Sequence, residues 1–171
     1  MPVGHGQSPT KQTKTRSARS GMKAQDAIKL LKADHDEVEE LFAQYEKQKK
    51  RDGAKAELIE KICNALTVHA QIEEEIFYPA AREALENEGE ELVDEAEVEH
   101  GSIKSLVEQL GAMSPDDELC DAKVKVLSEY VKHHVKEEEG ELFPKLKKTD
   151  LDLEALGTEL AERKEELMAE M

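Results

Sequence analysis

Cysteine is scarce in this 171-residue chain. Cys63 and Cys120 stand alone in helical patterns, without the paired spacing of a thiolate site. This argues against thiolate metal binding and for free thiols in a reducing, cytoplasmic compartment. No run approaches the roughly 18 consecutive apolar residues of a membrane-spanning helix, so no membrane span is expected. The N-terminus also lacks an apolar signal core, so secretion is not indicated. Positive charge is outnumbered by acid beyond the tail. Lys11, Lys14, Arg16, Arg19 and Lys23 give residues 1–23 a charge of +5 with no acid, so a net charge of -16 leaves -21 on the remainder. So acidic a body does not invite nucleic acid, and it suits cation capture.

Hydrophobic residues make up 38% of the chain and charged residues 37%, which fits one globular, strongly solvated domain. Residues 1–22 read as a disordered basic tail, a solubilising segment first, with contact to an anionic partner as the alternative. The rest reads as all-α: an up-down-up-down four-helix bundle over 23–148 and an additional C-terminal helix within 149–171. Apolar residues three and four apart predict helices over about 24–50, 54–87 and 90–112. Ser114-Pro115-Asp116-Asp117 predicts the start of a fourth, which runs to about 148. A fifth helical pattern spans 151–169 around Gly157 and is expected on the outside of the bundle or at a subunit contact. The second stripe is Leu58, Ile62, Leu66, His69, Glu73, Ile76 and Ala80. Pro79 and Pro144 fall inside helical patterns just past clusters of glutamate, and each favours a bend.

A repeat carries the chemistry. His35 and His100 are 65 residues apart, and the same offset relates His69 to His134, Glu73 to Glu138, Pro79 to Pro144 and Asp34 to Glu99. The chain thus reads as two copies of a helical hairpin. Side chains four apart share a helix face, so each His-x-x-x-Glu pair points one way, on its helix's apolar stripe. Buried glutamate is rarely tolerated without a partner. A pair of cations explains two inward glutamates and four inward histidines together. Glu73 and Glu138 are placed to bridge both ions, and His35, His69, His100 and His134 to supply terminal nitrogens. An oxo, hydroxo or water bridge would complete the core. Imidazole with carboxylate suits iron, zinc, nickel or manganese, while a closed zinc site would prefer four ligands per ion. Glu74 and Glu139 also repeat, off the main stripe, as outer groups. His133 has Val68 as its counterpart and sits beside the seam. Tyr45, Tyr78 and Tyr130 are within range of the centre, but packing is the expected role of each.

The segments Leu30-Leu31-Lys32-Ala33-Asp34-His35, His69-Ala70-Gln71-Ile72-Glu73, Glu97-Val98-Glu99-His100 and His134-Val135-Lys136-Glu137-Glu138 resemble the haemerythrin-like family, in particular bacterial proteins with the HHE cation-binding domain. The resemblance covers about residues 24–148. It implies a four-helix bundle holding two iron ions, and a small diatomic or peroxide ligand as partner. Family members bind oxygen, sense oxygen or iron, or process nitric oxide or peroxide. One position departs from the family pattern. Oxygen carriers have a further histidine one turn before the one matching His100, and here that residue is Ala96. Solvent, Glu97 or another carboxylate is expected in its place. The last carboxylate ligand is expected at Glu138, with Glu139 the alternative. Three functions remain: binding or reduction of a small oxygen species, a non-enzymatic iron or oxygen sensor, and an iron-binding or storage role.

Overall fold

The computed structural model describes residues 25–51 and 53–171; the basic tail expected over 1–22 lies outside them. The described residues are helical, without strands. Helix α1 spans Ala27–Gln48, and the Asp26 side chain caps it by accepting from the Lys29 amide at 2.9 Å. Gly53, at φ 84°, makes the left-handed turn into α2 (Ala54–Ile72). A π-helical turn over Glu73–Phe77 leads into α3 (Tyr78–Leu85), and a short 3₁₀ turn, Glu86–Glu88, precedes α4 (Glu90–Ala112). Helix α5 (Cys120–Glu137) passes through a second π turn, Glu138–Leu142, into α6 (Phe143–Lys147). Helix α7 (Leu153–Ala169) closes the chain, capped by Asp152.

Helices α1, α2, α4 and α5 pack as a ring, α1 on α2, α2 on α4, α4 on α5 and α5 on α1. Their buried apolar side chains form two clusters. One gathers Ile28, Leu31, Phe77, Phe143 and Leu160, and the other Val38, Ile62, Ile103, Leu127 and Val131. Between them on the four helices lie the buried polar residues His35, His69, His100 and His134, so a polar layer divides the core. Helix α7 packs on α1, α2 and the first π turn. Its close approach depends on Gly157, where an added Cβ would lie 2.1 Å from the Gln25 carbonyl oxygen.

The π turns correct the expected uninterrupted helix over 54–87. Pro79 and Pro144 have no amide hydrogen, so an α-helix would lose one ladder bond at each. The chain widens just before them: the Tyr78 amide donates to the Glu73 carbonyl and the Phe143 amide to the Glu138 carbonyl, each five residues back. The extra residue rotates the following face. Ile76 and Ala80, expected inward, are only half-buried, and Phe77, Tyr78 and Ala81 take the interior. The fourth long helix also begins later than expected. The Ser114 hydroxyl accepts from the Asp116 amide at 3.2 Å and the Asp117 carboxylate from the Leu119 amide at 2.9 Å. These short-range bonds make turns in place of a helix cap, and α5 starts at Cys120.

Candidate metal centre

Each half of the chain delivers a histidine from one helix and a His-x-x-x-Glu pair from the next. His35 comes from α1, His69 from α2 and Glu73 from the first π turn; His100 comes from α4, His134 from α5 and Glu138 from the second π turn. All six are buried, and Glu73 is fully so. The two glutamates that would be hardest to bury thus each open a wide turn.

The six side chains meet in two overlapping groups, His35–His69–Glu73–Glu138 and Glu73–His100–His134, with donor atoms within 4.8 Å of one another in each. His35 Nε2 lies 3.1 Å from His69 Nε2 and 3.4 Å from Glu138 Oε1. His69 Nε2 lies 2.6 Å from Glu73 Oε1. On the other side, His100 Nε2 and His134 Nε2 are 3.2 Å apart, with Glu138 Oε2 3.1 Å from His134 and Glu73 Oε1 3.5 Å from His100. Both glutamates therefore reach across the two histidine pairs.

Outer carboxylates face the Nδ1 atoms. Asp34 Oδ2 lies 3.0 Å from His69 Nδ1, and its 65-residue counterpart Glu99 places Oε1 3.4 Å from His134 Nδ1. Glu139 stands 3.7 Å from His35 Nδ1 and Glu74 4.0 Å from His100 Nδ1. The first two contacts fix the His69 and His134 rings and leave Nε2 to bind inward, whereas His35 Nδ1 and His100 Nδ1 are buried without a hydrogen-bond partner. Lys164 of α7 reaches Asp34 Oδ1 at 2.5 Å.

Electrostatics follow from burial opposed by pairing. Burial disfavours a charge on His69, but Glu73 and Asp34 beside it outweigh that and push it up to about 10. His134 is likewise pushed up to about 12, burial being overcome by Glu138, Glu73 and Glu99. Burial opposes ionisation of Glu73, yet His69, His100 and His134 hold it well below the usual carboxylate range. Without cations, protons on His69 and His134 balance the buried carboxylates. The balance is incomplete: Glu73 Oε2 is buried and accepts no hydrogen bond, and Glu138 Oε1 has only His35 Nε2 beside it at 3.4 Å. Several Nε2 atoms and orphaned carboxylate oxygens aimed at one another are a donor set that cations fit, which two protons satisfy only in part.

The other expected residues divide. Glu139 stays at the edge. Glu97 turns away to Arg82, 3.3 Å from Nη2, and does not reach the place left by Ala96. His133 is exposed and pairs with Glu99 and Glu137. Tyr45 is buried elsewhere, donating to Asp121, and Tyr130 lies at the surface. Tyr78 is the residue that packing arguments missed. Its hydroxyl donates to Glu138 Oε2 at 2.8 Å and lies 3.1 Å from His100 Nε2 and 3.4 Å from His134 Nε2. Burial first, then Glu73 and Glu138, push its phenol well above the ordinary value. A signal was present: Tyr78 directly precedes Pro79, as Phe143 precedes Pro144.

Fold and cluster together define an all-helical bundle built around a buried histidine–glutamate cluster that could hold cations. The chain belongs to the hemerythrin HHE cation-binding domain family, which matches residues 26–146. It is 36% identical over 129 residues to a protein of Nostoc sp. named DNA nickase, a match covering 74% of this chain and 34% of that protein, so the chain spans about a third of its relative's length. Its fold is similar to the crystal structure of a hemerythrin HHE cation-binding domain-containing protein from Mycobacterium kansasii, with a TM-score of 0.73 and 22% identity over 85% of this chain and 89% of that one. Among the described residues, no helix is long and apolar enough to cross a membrane.

Proposed function

We propose that this is a non-haem di-iron protein that binds or reduces a small oxygen species: oxygen, peroxide or nitric oxide. The observation carrying the reading is the meeting of six buried side chains from two sequence repeats, with the buried Glu73 Oε2 left without a hydrogen bond. His35 and His69 would hold one ion, His100, His134 and Tyr78 the other, and Glu73 and Glu138 would serve both. The four long helices are taken in up-down-up-down order, supported by their ring of neighbours. Hard oxygen donors with imidazole suit iron. When bound, the iron pair supplies the redox equivalents. The chain supplies the rest. Phe77 and Phe143 wall the cluster from water, and without metal Tyr78 keeps its proton and donates it to Glu138. On the opposite side a hollow lined by Val38, Leu66, Ile103 and Val131 borders all four histidines, an apolar recess suited to a small uncharged ligand. The free thiols of Cys63 and Cys120 support a cytoplasmic setting.

The test is anaerobic loading with ferrous iron followed by oxygen. A spin-coupled ferric pair at two irons per chain by Mössbauer spectroscopy supports the reading. Stoichiometric zinc and no iron in protein from its native host overturns it.

A sensor role is the second reading, favoured by the Lys164–Asp34–His69 chain that ties α7 to the centre. Limited proteolysis and oligomeric state, each with and without iron, test it; no change in either removes it. The Nostoc relative's name also raises strand cleavage, and the acidic body disfavours duplex binding. Nicking of supercoiled plasmid by iron-loaded protein decides that point.

A further inference from the structure

We propose that Glu99, His133 and Glu137 form a separate divalent-cation site on the surface, which takes up ferrous iron and passes it to the buried centre. Its donor atoms lie within 4.8 Å of one another. His133 Nε2 is 3.4 Å from Glu99 Oε2 and 3.2 Å from Glu137 Oε1, and the histidine side chain is 64% exposed. One imidazole with two carboxylates on adjoining helices is a mixed donor set for ferrous iron, with the remaining positions open to water.

Three further observations point the same way. Glu99 Oε2 is buried and accepts no hydrogen bond, with His133 Nε2 3.4 Å away. The site opens into a groove of about 1090 Å³ whose wall also carries Glu90, Glu91, Asp94 and Glu95. An acidic groove concentrates cations and speeds their arrival. Inward, Glu99 and Glu137 also line a small hollow beside Ala96, and its other walls include His134 and Glu138 of the buried centre. The same two carboxylates thus face both the groove and the interior, and the missing histidine side chain at Ala96 leaves the space between.

This device belongs to one half of the repeat. The 65-residue counterparts of His133 and Glu137 are Val68 and Ile72, both buried and apolar, and the counterpart of Glu99 is Asp34, which Lys164 of α7 covers. One side of the centre is closed by α7 and the other opens onto the groove.

The delivery step rests on the di-iron reading; binding in the groove does not. His133→Ala tests both, because it removes the imidazole donor and leaves every carboxylate of the groove in place. Bound Mn²⁺ is counted by electron paramagnetic resonance, and anaerobic Fe²⁺ uptake is followed by stopped flow. Wild type should bind three Mn²⁺ per chain, one with nitrogen coupling from an exposed imidazole, and the variant two. Filling of the buried centre should slow severalfold at unchanged final occupancy, through loss of the imidazole ligand alone, because the acidic groove that focuses cations is unaltered. Two Mn²⁺ in both proteins, or equal uptake rates, overturns the proposal while leaving the buried centre intact. One Mn²⁺ in wild type and none in the variant supports the groove site and overturns the di-iron reading instead.

Discussion

Tyr78 and Phe143 hold equivalent places in the two halves of the chain, 65 residues apart, and differ by one hydroxyl. Phe143 stacks on His35, ring centroids 6.1 Å apart and planes at 3°, while Tyr78 aims its hydroxyl at His100, His134 and Glu138. The near-twofold cluster therefore has a phenol on one side only. Tyr78→Phe makes the halves alike. Ferric protein should lose its visible phenolate absorption and hold the ion on the His100–His134 side more weakly than the other. The metal-free variant should lose about 1.5–3 kcal/mol, typical of a hydrogen bond to a charged group. Optical titration with iron checks the first outcome, and an unchanged visible band would remove Tyr78 from the ligand set.

Metal loading should expel protons. His69 is pushed up to about 10 and His134 to about 12 by the buried carboxylates, so both are protonated at neutral pH in metal-free protein. A cation needs each Nε2 lone pair free, so filling both positions should release about two protons per chain from the histidines, with a further one where Tyr78 binds as phenolate, and apparent affinity should rise with pH. Calorimetry in two buffers of different ionisation enthalpy measures the count; release of none would contradict this charge balance.

The same groups set the stability of the metal-free chain. A histidine with a raised value stabilises fully below its unfolded value of 6.5, and that gain is lost as pH rises through the folded values of about 10 and 12. Glu73 is depressed from 4.5, so its contribution is present above 4.5 and lost as pH falls further. The Tm of metal-free protein should peak between pH 4.5 and 6.5 and decline toward pH 10. Metal-loaded protein, with the protons already replaced, should lack the alkaline decline. Thermal melts of both forms across this range separate the cases.

The buried cluster is legible because it is repeated: His35, His69 and Glu73 gain meaning from His100, His134 and Glu138 at one offset. Long amphipathic stripes likewise exposed the helices. The π turns were hidden, since one inserted backbone residue leaves sequence spacing unchanged and only Pro79 and Pro144 mark it. For that reason the inward face slipped from Ile76 to Phe77, and Tyr78 was placed with packing residues. The α5 start was misread because Ser114 and Asp117 bond equally well to amides two residues on.

Asp34 joins the centre to α7, with one oxygen on His69 and the other on Lys164. Burial opposes its charge, but His69 and Lys164 hold it below the ordinary carboxylate value. Asp34→Asn keeps the shape and removes the charge that raises the basicity of His69. Affinity for the ion on the His35–His69 side should fall about 10–100-fold, the usual effect of losing an outer partner of a metal-binding histidine. Glu99→Gln should weaken the other side less, because Glu99 lies farther from His134, at 3.4 Å, and is partly exposed. Competition against a chelator of known affinity ranks the two variants; equal losses would show that distance and burial do not govern these contacts.

Gly157 decides whether α7 stays seated. Any Cβ there would fall 2.1 Å from the Gln25 carbonyl oxygen and 2.8 Å from the Ala27 amide nitrogen, both backbone atoms at the start of α1. Neither is the free end of a side chain that could swing aside, so Gly157→Ala must push α7 outward. The expected loss is about 1–3 kcal/mol, the usual range for overpacking, despite alanine's better helix propensity. Because Lys164 rides on the same helix, the shift should also release Asp34 and lower affinity on the His35–His69 side without touching any ligand. Urea unfolding of metal-free protein measures the first effect and chelator competition the second. A destabilised variant with undiminished metal affinity would show that α7 serves the fold alone.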